Sequence, residues 1–564
     1  MINQTVCSKG MKLVASPSGF GHEMESLSQR GLRGRFALVL LGAILLGLRA
    51  LAGPAVIQTF FVPFSEDQLF SFYTNVNTAT SVGSNIVNVI SITVAQSNTV
   101  VYFDQYEDGY EADAANPTQS TTLVWGDGIT NNGVAPGTTN DLLRSGAVIV
   151  LQNTNLTPRS TNLVTYGGRD KISASGPIAC SYISWSLASA SSPSTLIAEG
   201  VDLYDTSNFG LDFISPLGTN VSSSNALFNV CQLAIMPAQD ATTVRVDSDA
   251  NGTFDSTNLV NAGSGLIIPS IRAGARVSAD KPVQCHVLTA VRPSSYATRW
   301  YTIYPPSLWD NEYFNPVMTR GTGHVTRAFL YSTGALTVVA SQIGSTNNIS
   351  LAAGAFGEYE APTNSGSRFT SSNSFYAVLA VDSGGASNAL SSYDWGCVMV
   401  PADSLTPSVL VGWAPGSDFT SARTNSSPVW VTAVSNTTLL IDYDGNPTTG
   451  ALVDGNGNHY DTSTTITALQ VARIFDTNDS DMTGARIYSS NGVKIAAAYG
   501  EDPQISPAGN PGLDAGTTIQ PLPVYVATKT ATLTNDANGN GKYDPGDQIL
   551  YRGLPITLFS VISS

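Results

Sequence analysis

Beyond residue 52 the apolar residues recur in short alternating runs, such as NIVNVISITVA from Asn85, GAVIVLQN from Gly146, TTVRVDSD from Thr242 and TTLLIDYD from Thr437. β-Branched and aromatic residues dominate these runs, and Gly, Asn, Asp, Ser and Pro separate them. This is the period-two signature of strands and turns. Helical periodicity is almost absent. Turn residues at such short spacing predict antiparallel sandwiches rather than a parallel sheet with crossover helices.

The runs also repeat. One element reads NTVVYFDQYEDG from Asn98, ATTVRVDSDANG from Ala241, ALTVVASQIGS from Ala335 and NTTLLIDYDGN from Asn436, and three of these strands end on Asp104, Asp247 and Asp442. A second element follows each: DKISASGPIACSYI, ARVSADKPVQCHVL, SRFTSSNSFYAVLA and ARIYSSNGVKIAAAYG. In it a polar turn separates two apolar runs, which predicts a hairpin. Ile172, Val277, Phe369 and Ile487 are equivalent, spaced by 105, 92 and 118 residues, and spacing near 100 fits immunoglobulin-like sandwiches. The expected fold is all-β, with several tandem antiparallel β-sandwich modules over 53–190, 191–300, 301–395 and 396–520. Residues 521–564 are expected to open a further, truncated module.

The N-terminus has a different pattern. Arg30, Arg33 and Arg35 precede an apolar run from Phe36 to Leu48, followed by Ala50-Leu51-Ala52. That order predicts a cleaved secretory signal peptide over 1–52, with Met24 as an alternative start. As a helix the 13-residue run is about 20 Å long, short of a hydrocarbon core of about 30 Å. The mature chain is expected to have no transmembrane span and to be exported: extracellular, at the cell surface, or periplasmic.

Charge sharpens this picture. Only 12% of residues are charged and the net charge is −16. Removing 1–52 takes away six of 26 basic and two of 42 acidic residues, leaving −20. Nucleic acid is excluded as a partner, because phosphate binding needs clustered Lys and Arg. Cys180, Cys231, Cys285 and Cys397 remain, with no C-x-x-C pair. Two disulfides in any of three pairings, or buried thiols, are both open.

Acidic loops supply the candidate chemistry. Asp247, Asp249, Asn251 and Asp255 stand at positions 1, 3, 5 and 9 of a loop with Gly252 at position 6. Asp536, Asn538, Asn540, Asp544 and Asp547 fill positions 1, 3, 5, 9 and 12 of another. Calcium needs six to eight hard oxygens converging from such a loop, so Ca2+ is the candidate cofactor. β-Turns use the same residues. Asp442, Asp444 and Asn446 form a poorer version in which Pro447 replaces the glycine. The cluster FDQYEDGYEAD (Asp104, Glu107, Asp108, Glu111, Asp113) has no recognised ligand spacing; it could bind a cation or an amine, and is expected to be a solvated hairpin tip.

No nucleophile elbow, H-E-x-x-H motif or phosphate loop occurs, and His286 lies on the opposite strand face from Cys285. No enzyme is expected. Trp300, Tyr301, Tyr304, Trp309, Tyr313 and Phe314 either pack a junction between modules or stack on a glycan or protein partner.

The stretches ISITVAQSNTVVYFDQYEDGYEAD, STTLVWGDG, DWGCVMVPADSLTPSVLVGWAPGS, SSPVWVTAVSNTTLLIDYDGN and TGARIYSSNGVKIAAAYGEDP together resemble the N-terminal region of large bacterial surface proteins. In those chains the region precedes tandem conserved-repeat, immunoglobulin-like modules of unknown function. The hairpin SADKPVQC is similar to the N-terminal domain of the IgG-Fc-binding protein family. The resemblance implies a secreted or surface-displayed protein of adhesion or envelope structure and carries over no catalytic residues. The alternative is a calcium-dependent carbohydrate-binding protein, and third an extracellular hydrolase.

Overall fold

The computed structural model describes residues 54–76, 82–160, 162–186, 198–221, 227–292, 298–321, 324–381, 394–416, 427–504 and 515–523. It also describes the backbone of an antiparallel hairpin, Lys529–Asn535 with Gln548–Gly553. The expected signal segment and the loop carrying Asp536, Asn538, Asn540, Asp544 and Asp547 lie outside the described residues. No helix among the described residues is long and apolar enough to cross a membrane.

The fold is all-β, built from antiparallel sheets. Four sandwiches follow one another and share one plan of eight strand positions, the sixth and seventh being fused in the second and third sandwiches. In the first, the strands are Gln58–Phe61, Asn85–Val94, Val101–Asp104, Leu123–Trp125, Val148–Leu156, Lys171–Ala174, Ile178–Ser186 and Ala198–Asp202. The first, sixth, third and fourth pair in that order as an outer sheet; the fifth, second, seventh and eighth form an inner one. The sheets around Arg276–Ala290, Ser367–Ala380 and Arg486–Ser489 have the same order.

The repeat seen in the sequence is a register equivalence. Ile172 lies between Phe103 and Phe60, Val277 between Val246 and Phe213, Phe369 between Ala340 and Tyr313, and Ile487 between Ile441 and Val409. All twelve side chains are buried. The predicted hairpin is absent. The two runs pair with other strands and carry the chain from the outer to the inner sheet. In the second and third sandwiches they form one unbroken strand, Arg276–Ala290 and Ser367–Ala380.

The inner strands explain the low charge. Ile86, Ile90 and Ile92 enter the core of the first sandwich, while Val87 and Val89 enter that of the fourth. Cys231, Leu233 and Ile235 face the second core, and Val230 and Ala234 face the first. Likewise Ala328 and Leu330 face the third core and Phe329 and Tyr331 the second, while Val429 and Val431 face the fourth and Trp430 the third. Each inner sheet is therefore apolar on both faces, one towards its own core and one towards a neighbour.

This packing closes a ring. The eighth strands Ala198–Asp202, Thr298–Ile303, Gly396–Val398 and Gly516–Ile519 contact one another in cyclic order. Thr298 Oγ1 donates to Ala198 O, Thr518 Oγ1 to Val398 O, and the Gly516 amide to Glu199 Oε1 at 2.9 Å. The Gln520 amide donates to Asp202 Oδ2 at 3.2 Å. The four cysteines are buried free thiols. Cys180 and Cys285 occupy equivalent strand positions in different cores.

Candidate functional site

The first sandwich departs from the plan at two insertions, and these line a groove. The helix Glu66–Val76 follows its first strand. Ser65 and Gln68 close its start reciprocally: Gln68 Oε1 accepts from the Ser65 amide and Ser65 Oγ from the Gln68 amide, at 3.0 and 3.4 Å. This is a capping box. Gln68 Nε2 then donates to Gly265 O of the second sandwich at 2.8 Å. The second insertion leaves the third strand at Asp104 and carries the acidic segment.

Between these insertions and the second sandwich lies a groove of about 1160 Å³. Phe61, Tyr106, Tyr110, Arg169 and Lys171 line one wall, and Asp240, Asn261, Ser264 and Pro282 the other. Arg159 organises the floor. Its guanidinium donates to Glu66 Oε2 at 2.7 Å, to Glu107 Oε1 and to Thr165 Oγ1, and its amide donates to Asp67 Oδ1. Burial alone would lower the guanidinium, but the Glu66 and Glu107 carboxylates hold it above its ordinary value. Asp170 is wholly buried beneath, accepting from the Gly167 and Tyr106 amides at 2.9 and 3.2 Å. Desolvation pushes its carboxyl well above the usual range.

The acidic segment is not the solvated tip expected from its charge density. Asp104 and Glu111 are buried. Lys171 Nζ meets Asp104 Oδ2 at 3.1 Å and Glu111 O at 2.9 Å. Glu111 Oε1 takes the Thr118 and Gln119 amides. Burial raises the Asp104 carboxyl, and Lys171 partly offsets the rise. The Arg169 guanidinium carbon lies 4.9 Å from the centroid of the Tyr106 ring, and Tyr110 packs edge-on against Phe61 at 5.3 Å. Only Asp108 and Asp113 of the segment's acids are exposed. Sequence reasoning missed Glu66, Arg159 and Asp170. The one local cue was the Ser65–Gln68 cap, since the partners of Arg159 lie 52 and 93 residues away.

Asp247, Asp249 and Asp255 converge, each offering a carboxylate oxygen within 4.8 Å of the others. Asp247 is buried, and its two oxygens take the Asn251 and Gly252 amides at 3.1 and 2.8 Å. Gly252 adopts φ +91°, the left-handed conformation that this turn needs. Asn251 turns its amide onto Asp249, and its Oδ1 accepts from the Thr253 amide. Hydrogen bonds from Ser248 hold the Asp255 carboxyl below its ordinary value. These three carboxylates can hold a hard cation, with Asn251 fixing the turn.

Trp300, Tyr301, Tyr304, Trp309, Tyr313 and Phe314 are all buried. Trp300 packs against Phe64 and Tyr73 of the first sandwich, and Trp309 against Tyr331 and Tyr376 of the third. They form junctions and present no face to a sugar. His286 is also buried, bonded to Gln284 Oε1 and Thr302 Oγ1 at 3.1 and 3.3 Å, while Cys285 faces the second core. No protein-family model and no curated protein matches the chain.

Proposed function

We propose that this chain is a secreted or surface-displayed bacterial protein with a structural or adhesive, non-catalytic role, and that the groove between its first two sandwiches is its binding face. The observation that carries this reading is the state of the groove's ionic groups. Asp104 is ion-paired, Glu111 and Asp170 are held by backbone amides, and Arg159 joins Glu66 to Glu107. Carboxylates fixed in this way shape a surface and are poorly placed to exchange protons with a substrate. Aromatic faces beside fixed charges suit recognition of an extracellular glycan or protein. The basic, apolar and A-x-A order of residues 30–52 supports export.

Calcium-supported carbohydrate binding is the second reading, favoured by the convergence of Asp247, Asp249 and Asp255. Stacking would then fall to Tyr106 and Tyr110 rather than to the buried 300–314 row.

The test is binding of the purified mature chain to panels of immobilised glycans and extracellular-matrix proteins. Tyr110→Ala and Arg169→Ala are run in parallel. Retention on at least one surface, weakened about tenfold or more by either substitution, is the expected result. Retention that both variants leave unchanged, or chemical conversion of the bound ligand, contradicts the reading.

A further inference from the structure

Of the three bases that line the groove, Arg159 and Lys171 are held in ion pairs, and Arg169 makes none among the described residues. The backbone holds Arg169 in place. It adopts φ +79°, a left-handed conformation that is costly for a residue with a long side chain. Its amide donates to Val62 O at 2.9 Å, and its carbonyl accepts from the Tyr110 hydroxyl. These bonds fix the conformation and set the guanidinium over the Tyr106 ring.

Two buried polar atoms of this wall have no hydrogen-bond partner among the described residues: Arg169 Nε, a donor, and Glu107 Oε2, an acceptor. The Glu107 side chain is 5% exposed, with its Oε1 committed to Arg159. On the facing wall Asn261 Oδ1 accepts from the Ala241 amide at 2.9 Å, leaving Nδ2 to a ligand. Gln239 and Ser264 line the same wall, and Phe61 and Pro282 add apolar surface. Gln239, Asn261 and Ser264 lie outside the strands. This wall therefore offers side-chain amides and a hydroxyl, with no strand edge for a peptide to extend.

One unpaired donor and one unpaired acceptor call for a ligand that is both. An ammonium would serve only Glu107 and a carboxylate only Arg169, whereas each hydroxyl of a sugar donates and accepts. The groove, about 1160 Å³, is larger than the roughly 300–1,000 Å³ that holds one small ligand, so it has room for more than one ring. We propose that the groove binds an uncharged oligosaccharide across the seam between the first and second sandwiches, without calcium. This rests on the groove being the binding face and adds the class of ligand. Asp247, Asp249 and Asp255 take no part. The strand Thr242–Asp247 runs from the groove wall to that trio, which puts them about 20 Å apart.

The test is calorimetric titration of residues 53–564 in EDTA with short cello-, malto-, manno- and xylo-oligosaccharides, an acidic galacturonate oligosaccharide and a Gly-Ser peptide. Wild type, Arg169→Ala, Gln239→Ala and Asp249→Asn are compared, and circular dichroism checks each fold. Gln239 is exposed, so its truncation leaves the cores intact. At least one neutral oligosaccharide is expected to bind in EDTA. Arg169→Ala should weaken it about tenfold and Gln239→Ala about threefold, with Asp249→Asn unchanged. Failure of every neutral oligosaccharide to bind, or binding that needs calcium or Asp249, overturns the proposal. Preference for the acidic sugar or the peptide, still weakened by Arg169→Ala, overturns it but keeps the groove as the binding face. Binding that neither groove substitution changes removes both.

Discussion

At the residue scale the molecule carries its charge in unusual places. Asp202, on the ring-closing strand, is buried and accepts from Ser181 Oγ and the Gln520 amide. Desolvation pushes it up to about 7 despite both bonds. Desolvation also pushes His286 down to about 3. The signs differ. The native state holds the Asp202 proton where the unfolded chain has lost it, so this group's stabilisation is full below about pH 4 and is lost as pH rises through 7. His286 acts oppositely: its contribution is present above about 6.5 and is lost as pH falls towards 3. Between pH 6.5 and 8 the His286 contribution is flat, and Asp202 makes stability fall. Chemical denaturation from pH 5 to 8 should show Asp202→Asn losing up to about 1.4 kcal/mol per pH unit of that downward slope, the linkage of one proton. Equal slopes in the two proteins would refute the assignment.

Residue chemistry was also the least legible part of the sequence. The segment from Asp104 to Asp113 looked like a solvated tip because its charge is local, whereas the groups that bury it are distant. Lys171 comes from the sixth strand, and Arg159 from the loop after the fifth. The converging trio Asp247, Asp249 and Asp255 was legible, since alternate acids and Gly252 act within one turn.

At the element scale the alternating pattern identified strands and the fourfold repeat, because Ile172, Val277, Phe369 and Ile487 face equivalent partners. It misread the second repeat element. A polar break between two apolar runs looks like a hairpin whenever the partners are unknown, and here both runs pair elsewhere. The helix Glu66–Val76 was missed although its capping box is written in Ser65 and Gln68. Strand contacts at the ring centre make their own prediction. Trp395 lies over Gly500 and Gly516, and a Cβ at 516 would come within 2.1 Å of the indole. Gly516→Ala should destabilise by about 1–3 kcal/mol through overpacking. Gly334→Ala, where a Cβ meets nothing within 4 Å, should change stability by no more than about 0.5 kcal/mol. Thermal or urea denaturation of the two variants measures both, and equal effects would argue against close packing of the eighth strands.

At the scale of the whole molecule, tandem sandwiches were legible and their closure was not. Sequence spacing describes beads in a row equally well. The ring follows from inner strands that are apolar on both faces, together with contacts joining residues some 300 positions apart: Ser91 Oγ to Gly412 O, Ser145 Oγ to Gly445 O and the Gly516 amide to Glu199. Buried ion pairs reinforce neighbouring members, as Arg299 of the second sandwich meets Asp394, which leads into the last strand of the third, at 2.5 Å. A closed ring presents the groove on a platform whose parts cannot swing independently.

The most direct measurement is small-angle X-ray scattering from residues 53–564. A compact unit of 512 residues has a radius of gyration of about 24 Å by chain-length scaling, and four such sandwiches in a row have about 40 Å. The ring predicts a value below about 30 Å, with the excess over 24 Å coming from loops and the terminal hairpin. A value near 40 Å would show that the sandwiches are strung out and that the ring does not form.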